Sequence, residues 1–325
     1  MSLLELISPA PVTVMLGMCK NAGKTTALCR LIREYAERGG APIALTSIGR
    51  DGESRDLVTG TDKPPIYLYE GMLAATAEQL LPLCDVSREI LAATGLFTSL
   101  GEVVIFRAKS DGFVQLAGPG IVGQLKTLRG MLEGFGAQSV LIDGALSRKS
   151  PASCAADGAC VLSTGASLHR DLDRVVTETA YAARLLSLPE SAAPGPELDR
   201  VTLFRSDGSS EGAAEALALR RGAGESTLLF SGALTEAQAK ALLQDGTDKR
   251  GLTLLVRDGS CLMLRRETFD SLASRGVRFA VQNDSRLAAV TVNAVSAGGW
   301  VFDAAELLEK MRAAVSAPVV DVMAE

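Results

Sequence analysis

Histidine is nearly absent from this sequence, which has only His169 among its 325 residues. Metal sites built from several histidines are therefore excluded. A catalytic triad with a histidine base would depend on this one residue, and we do not expect one. Because His169 lies close to the predicted start of a helix, we interpret it as a surface residue near a helix terminus.

Long apolar runs and basic patches are missing as well. No apolar stretch approaches the roughly 20 residues that a membrane span needs, although 47% of the residues are hydrophobic. The net charge is −5 and no basic stripe is present, so neither a membrane nor nucleic acid is an expected partner. The first residues have no basic region and no long apolar segment, unlike a signal peptide, and we expect a cytoplasmic protein.

The cysteines are few and scattered. The chain has six of them and no Cys-x-x-Cys pair, so reduced and mostly buried thiols are expected. Cys154 and Cys160 are close enough in sequence to approach each other in a loop, but without a nearby histidine a zinc site there is not expected.

The most informative segment that is present is MCKNAGKTT, residues 18–26. It follows an apolar run typical of a strand and precedes a run with helical spacing. A strand, a small-residue loop ending in Gly-Lys-Thr and a helix form a cradle in which backbone N–H groups bind phosphate. In such a cradle Lys24 would reach the β- and γ-phosphates, and the Thr25 hydroxyl would bind Mg²⁺.

The spacing of this loop departs from the usual pattern. The first glycine normally stands five positions before the second, where this chain has Met18, and Gly17 comes one residue too early. Met18 must then adopt a negative φ. The alternative is a glycine-rich turn that binds nothing. We predict nucleotide binding by seven residues of the loop: Lys20, Asn21, Ala22, Gly23, Lys24, Thr25 and Thr26. Cys19, inside the loop, is interpreted as an ordinary small loop residue.

Carboxylates follow two other predicted strands. The apolar run at residues 139–142 ends in Asp143, and the run at residues 42–48 is followed by Asp51 and Glu53. Because ligands in open α/β sheets lie beyond the carboxyl ends of strands, these groups are expected beside the phosphate loop. Asp143 is predicted to hold Mg²⁺ together with Thr25, and Asp51 to bind Mg²⁺ or orient water. For Asp51 a plain turn is an equal alternative, and for Glu53 it is favoured.

The pattern of strands and helices predicts an α/β fold with two domains. Residues 1–188 are expected to form a P-loop nucleotide-binding domain with a mostly parallel sheet, residues 189–200 a Pro/Gly-rich linker, and residues 201–325 a smaller α/β domain. Within the first domain, residues 72–81 are predicted as a helix. The runs at 102–108 and 113–117 are predicted as a hairpin.

Several segments together resemble one family. They are MLGMCKNAGKTT, PPIYLYEGMLAATAEQLL, GEVVIFRAKSDGFVQLAGPG, VLIDGALSRKSPAS, VLSTGASLHRD and AAVTVNAVSAGGWVFDAAELLEKMR. The chain resembles, over nearly its whole length, the KamB-type subunit of lysine 5,6-aminomutase (or ornithine aminomutase) reactivase. This resemblance implies a factor that uses ATP, with a MutS-like ATPase partner, to release damaged cobalamin from a cobalamin-dependent aminomutase. Only Gly23, Lys24, Thr25 and Asp143 carry over as site residues, and nothing in the sequence indicates cobalamin binding.

Three other functions are compatible with a Gly-Lys-Thr loop. One is a stand-alone P-loop enzyme, either a small-molecule kinase or a ligase of the dethiobiotin-synthetase kind. Another is a GTPase for metallocofactor insertion, against which the absence of an Asn-Lys-x-Asp segment counts. The last is a module that binds nucleotide without turning it over. The sequence leaves ATP and GTP open, and we expect ATP with Mg²⁺ from the resemblance.

Overall fold

The computed structural model describes residues 2–8, 10–39, 42–50, 66–144, 158–213, 225–284 and 286–323. The chain divides into two compact units, the first made of Met1–Ala183 with Arg286–Glu325 and the second of Arg184–Ser285. The helices in the described part are α1 Leu3–Ile7, α2 Lys24–Arg38, α3 Val122–Gly134, α4 Leu172–Leu186, α5 Glu236–Gln244, α6 Arg266–Ser274 and α7 Ala304–Ala314. None of these helices is both long and apolar enough to cross a bilayer.

The first unit is built on one large sheet. Its strands are β1 Val12–Gly17, β2 Ile43–Ser47, β5 Leu73–Ala77, β6 Arg88–Thr98, β7 Gly101–Ala108, β10 Ser139–Asp143, β11 Ala159–Gly165, β19 Arg286–Asn293 and β20 Val319–Asp321. They lie in the order β20-β19-β11-β1-β10-β2-β5-β7-β6. Neighbours from β20 to β5 pair in parallel, and only β5-β7 and β7-β6 are antiparallel. The predicted α/β class with a mostly parallel sheet is therefore confirmed.

Four short strands of the first unit form two separate two-stranded sheets. They are β3 Gly49–Arg50, β4 Ile66–Leu68, β8 Gly112–Val114 and β9 Ala117–Gly118. Strand β3 pairs with β9, and β4 pairs with β8. The predicted hairpin is therefore wrong, because β8 and β9 pair with β4 and β3 instead of with the preceding strand β7.

Helix α2 covers one face of the large sheet. Its apolar residues Leu28, Leu31 and Ile32 recur at helical spacing, and all three are buried. They pack in one cluster with Met15 of β1, Leu45 of β2 and Leu141 of β10. The helix ends at Gly39, whose φ of 63° is a left-handed conformation that glycine adopts without strain. This packing fixes the start of α2 over the ends of the three strands.

The predicted helix over residues 72–81 is wrong. The structure has β5 at Leu73–Ala77 and then a 3₁₀ turn at Glu78–Leu83. All five residues of β5 are buried, because the strand lies between β2 and β7. Its three alanines favour a helix by local propensity, but two ladders of interstrand hydrogen bonds outweigh that small preference.

The second unit contains a separate five-stranded sheet. Its strands are β12 Val201–Arg205, β13 Ser210–Ala213, β14 Ser226–Phe230, β16 Leu252–Val256 and β18 Arg278–Val281, in the order β13-β12-β14-β16-β18. The last three pair in parallel. Two short strands, β15 Leu234–Thr235 and β17 Leu262–Met263, pair with each other. Thr235 and Gln238 form a reciprocal capping box that fixes the start of α5.

The two units differ from the predicted division of the chain. The expected boundary near residue 188 lies close to the observed one at Arg184. Residues 286–325, however, do not belong with the second unit, because β19 and β20 complete the sheet of the first. The second unit is therefore an insertion between α4 and β19. Sequence patterns detect such an insertion poorly, because strand pairing between distant segments leaves no local signal.

A buried ion pair fixes the turn that leads from α5 to β16. The side chain of Lys249 is 3% exposed and pairs with Asp245. Its ammonium also donates to the carbonyl oxygen of Thr247 at 2.9 Å and to the Thr247 hydroxyl at 2.8 Å. Burial by itself raises the pKa of the Asp245 carboxyl, but hydrogen bonds from Lys249 and Thr247 outweigh it and hold that pKa below its usual value.

We expect Asp245→Asn to lower the free energy of unfolding of the second unit by about 3 kcal/mol, because the Lys249 charge stays buried without its counterion. Since the pKa of Asp245 is lowered, the pair stabilises the fold above a pH of about 4 and loses this effect as the pH falls further. Urea denaturation at neutral and acidic pH measures both effects. Asp248→Asn is the control, because the Asp248–Arg250 pair is 61% and 83% exposed. Equal stability of the two variants would show that the buried pair adds no more to the fold than the exposed one.

Candidate functional site

The segment between β1 and α2 makes a tight turn over the carboxyl edge of the large sheet. The Met18 N–H donates to the Ser163 carbonyl of the neighbouring strand β11 at 2.9 Å. Asn21 has a φ of 59°, and Gly23, the N-cap of α2, has a φ of 93°. Left-handed residues of this kind turn successive backbone N–H groups toward one side, as in anion-binding loops. Positive φ values at two positions of the turn are compatible with such a loop.

The residues predicted from the loop lie at or beside this turn. Lys20 and Asn21 are exposed, Ala22 is buried, and Gly23 through Thr26 are half-buried. Met18 is not among the residues with a positive φ, which agrees with the negative φ predicted for it. Asn21 is the only non-glycine residue of the described chain with a positive φ, and asparagine is one of the few residues that tolerate it.

Gly17 leaves room for the side chain of Lys24. A Cβ atom built at Gly17 would lie 2.7 Å from Cδ and 2.9 Å from Cγ of Lys24. The stem of Lys24 therefore crosses directly over the end of β1, and only glycine leaves room for it. Beyond Gly17 the Lys24 ammonium donates to the Gly144 carbonyl oxygen at 2.7 Å. This places the cation at the end of β10, next to Asp143.

Asp143 lies in the interior at the end of β10. It is 6% exposed, it pairs in register with Met15 on one side and Ser47 on the other, and its carbonyl accepts from the Ile48 N–H at 2.9 Å. Side chains two residues apart on a strand share a face, so Asp143 and Ser47 continue the face of Leu141 and Leu45 that α2 covers. Both side chains therefore point toward the side on which Lys24 and Thr25 begin α2.

Electrostatics support this arrangement. Burial raises the pKa of the Cys29 thiol on α2, and although a backbone hydrogen bond at Tyr67 opposes the rise, the Asp143 carboxylate adds to it. The Asp143 carboxylate is therefore close enough to α2 to raise the pKa of the Cys29 thiol. In the loop itself, burial raises the pKa of Cys19 to about 11, although the Lys24 charge lowers it in part. Cys19 stays protonated at neutral pH, as expected of an ordinary loop residue.

The start of α2 carries an uncompensated positive end. Its N-cap is glycine, so no capping side chain competes for the N–H groups of the first turn, and that turn contains no acidic residue. Among the described helices only α3 also lacks an acidic residue in its first turn. The first turns of the other five helices each contain an acidic residue. The site thus combines a helix start, an ammonium and a buried carboxylate.

The loops after β11 and β19 meet at the same sheet edge. The Trp300 Nε1–H donates to the Ala166 carbonyl at 3.0 Å, and the Arg170 guanidinium lies 4.8 Å from the centre of the Trp300 ring. Trp300 therefore holds the two loops together, as expected of a packing anchor. His169 lies beside them, where its Nδ1 accepts from the Asp171 N–H at 2.9 Å near the start of α4.

Some candidates cannot be placed. Asp51 and Glu53, and the cysteine Cys154, lie outside the residues that the structure describes. Within the described ranges no group of three or more His, Cys, Asp or Glu residues could hold a metal ion by itself. Sequence reasoning missed Ser47, which ends β2 as Asp143 ends β10. Comparing equivalent strand ends would have found it.

Comparison of the chain with protein-family models, with curated proteins and with solved structures found no match. A function for the chain is therefore inferred from the geometry of the site and from the sequence itself.

We expect Gly17→Ala to displace the Lys24 side chain and leave the fold intact, because the clash is with a flexible stem. The free energy of unfolding should fall by no more than about 1 kcal/mol. Gly144→Ala is the matched control, since its Cβ would lie 2.2 Å from the Met15 carbonyl oxygen, a fixed backbone atom. Urea denaturation compares the two variants, and equal losses would show that Lys24 is held rigidly.

Proposed function

We propose that this chain is a P-loop NTPase-like protein whose loop 18–24 binds the phosphates of ATP together with Mg²⁺. One observation carries the proposal. The stem of Lys24 crosses Gly17, and its ammonium reaches the end of β10, the strand that ends in the buried Asp143. A cation, the N–H groups of a helix start and a metal-binding carboxylate thereby share one edge of a parallel sheet, where ligands of such sheets bind.

The charges of the site favour a phosphate ligand over the contact present in the structure. Lys24 now donates to the neutral carbonyl of Gly144. A phosphate oxygen is a stronger acceptor for this ammonium, because the attraction between opposite charges adds to the hydrogen bond. The helix start, which has no acidic residue in its first turn, adds a favourable interaction with the same oxygens. Binding would therefore exchange a weak partner of Lys24 for a stronger one.

The residues present fit a Mg²⁺ ion held jointly with the nucleotide. Mg²⁺ prefers oxygen ligands and commonly binds through one or two protein side chains, phosphates and water. Asp143, which is buried, and the hydroxyl of Thr25 supply such oxygens at this edge. When bound, the ion would neutralise charge that develops on the phosphates. Asp51 keeps its proposed role in binding the metal or orienting water.

At a finer level, we propose that the chain is the ATP-binding subunit of a cytoplasmic reactivating factor. The sequence resemblance to the KamB-type reactivase subunit supports this, with a MutS-like ATPase and a cobalamin-dependent aminomutase as partners. ATP-dependent release of cobalamin from an inactivated aminomutase, measured by absorbance, tests the assignment. Turnover of ATP with a small acceptor and no protein partner would instead indicate a stand-alone kinase or ligase. Tighter binding of GDP than ADP would indicate a GTPase.

We expect Lys24→Ala to weaken ATP binding by about 30-fold, because hydrogen bonds to charged groups contribute about 2 kcal/mol. The fold should remain intact, since Lys24 is half-buried and, among the described residues, its ammonium bonds only the Gly144 carbonyl. Isothermal titration calorimetry with Mg·ATP measures the Kd. Lys126→Ala is the control, because Lys126 is an exposed lysine on α3. An unchanged Kd for Lys24→Ala would refute the assignment of the loop.

Asp143→Ala should lower ATP turnover by about 100-fold, with a much smaller loss of ATP affinity, because metal positioning matters most in the transition state. Phosphate release, measured in the presence of the partner proteins, provides kcat, and calorimetry provides Kd. Asp321→Ala is a matched control, since Asp321 also ends a strand of this sheet, four strands away. Turnover equal to that of the wild type would show that Asp143 is only a strand end.

A further inference from the structure

Ser47 has a buried hydroxyl with no hydrogen-bond partner among the described residues. The residue is 0% exposed, and its Oγ bonds to nothing in the part of the chain that the structure describes. A buried polar group without a partner loses its hydration and gains nothing in return, so such groups are rare and call for an explanation. Two other buried hydroxyls of this sheet have partners. Thr46 Oγ1 donates to the Ala75 carbonyl at 3.2 Å, and Thr291 Oγ1 donates to Ser163 Oγ at 2.8 Å.

The position of Ser47 relates this hydroxyl to the candidate site. Ser47 is the last residue of β2 and pairs in register with Asp143, the last residue of β10. Residues paired in register on parallel strands point to the same face, which here is the face covered by α2. The hydroxyl and the carboxylate are therefore neighbours at the edge where Lys24 and Thr25 begin that helix.

Two further hydroxyls show that burial alone does not indicate a ligand. Thr13 Oγ1 and Ser226 Oγ are also buried and bond to no described residue. Thr13 is the second residue of β1, so it lies near the amino end of the strand, away from the site. Ser226 begins β14 in the second unit. Of these three hydroxyls, Ser47 alone lies next to the candidate metal-binding carboxylate.

We propose that Ser47 is a positioning residue of the metal–nucleotide site, whose hydroxyl bonds to a water molecule bound to Mg²⁺. This inference rests on the proposed function and extends it by a third side chain next to Asp143 and Thr25. Mg²⁺ keeps several waters in its shell, and these waters donate hydrogen bonds because their oxygens coordinate the ion, so they need acceptors from the protein. The oxygen of a serine hydroxyl can accept such a bond. A water of the ion's shell then supplies the partner that the Ser47 hydroxyl lacks among the described residues.

The test compares Ser47→Ala with the wild type and with two controls, Thr13→Val and Ser226→Ala. The Mg²⁺ concentration that gives half of the maximal ATP affinity is measured by calorimetry over a magnesium series. This Mg²⁺ concentration should rise about 10-fold for Ser47→Ala, as is typical when a residue that hydrogen-bonds to a metal's ligands is lost. It should stay unchanged for both controls. ATP affinity in the presence of EDTA should be the same for all four proteins.

Thermal unfolding without ligand is a second measurement, and it distinguishes a role in ligand binding from a structural role. Because the hydroxyl has no partner in the described part of the ligand-free protein, Ser47→Ala should keep its Tm within about 2 °C of the wild type or raise it. A clear loss of Tm would overturn the inference, as would an unchanged Mg²⁺ requirement. If the wild type itself binds no ATP at any Mg²⁺ concentration, the proposed function fails. If the wild type binds and Ser47→Ala matches it, only the role of Ser47 fails.

Discussion

The parallel pairing of β1 with β10 is the constraint on which the candidate site depends. This register places the residue after β1 and the residue after β10 at the same edge, and the Gly144 N–H donates to the Met15 carbonyl at 2.9 Å. Lys24 can reach from the start of α2 to the end of β10 only because these strands are adjacent. A shift of one residue would move Asp143 to the opposite face of the sheet, away from α2.

Glycines make this close approach possible. At Gly17 the absence of a side chain leaves a path for the stem of Lys24, and at Gly23 a left-handed φ lets the loop turn into the helix. The Lys24 ammonium is half-buried and the Asp143 carboxylate is buried, so electrostatic interactions with a ligand are stronger there than in water. We infer that the site is adapted to a ligand that brings both negative charge and a cation, as a nucleotide with Mg²⁺ does.

Much of the fold could be predicted from local patterns. The predicted strands at 139–142 and 42–48 are β10 and β2, and the segment with helical spacing after the loop is α2. Strand β5 could not be found in this way, because its alanines favour a helix and only its neighbours make it a strand. The return of β19 and β20 to the first sheet also depends on long-range pairing.

The candidate site, like the fold, was predictable only where local patterns determine it. The loop residues and Asp143 follow from strand–loop–helix order, which is local, whereas the roles of Gly17 and Ser47 depend on what crosses or neighbours them in space.

The most direct measurement is a crystal structure of the protein with Mg²⁺ and a non-hydrolysable ATP analogue. We expect the β- and γ-phosphates inside the turn formed by residues 18–24, with the Lys24 ammonium moved from the Gly144 carbonyl to a phosphate oxygen. An empty turn with Lys24 still bonded to Gly144, at saturating nucleotide, would contradict the assignment of this edge as a phosphate site.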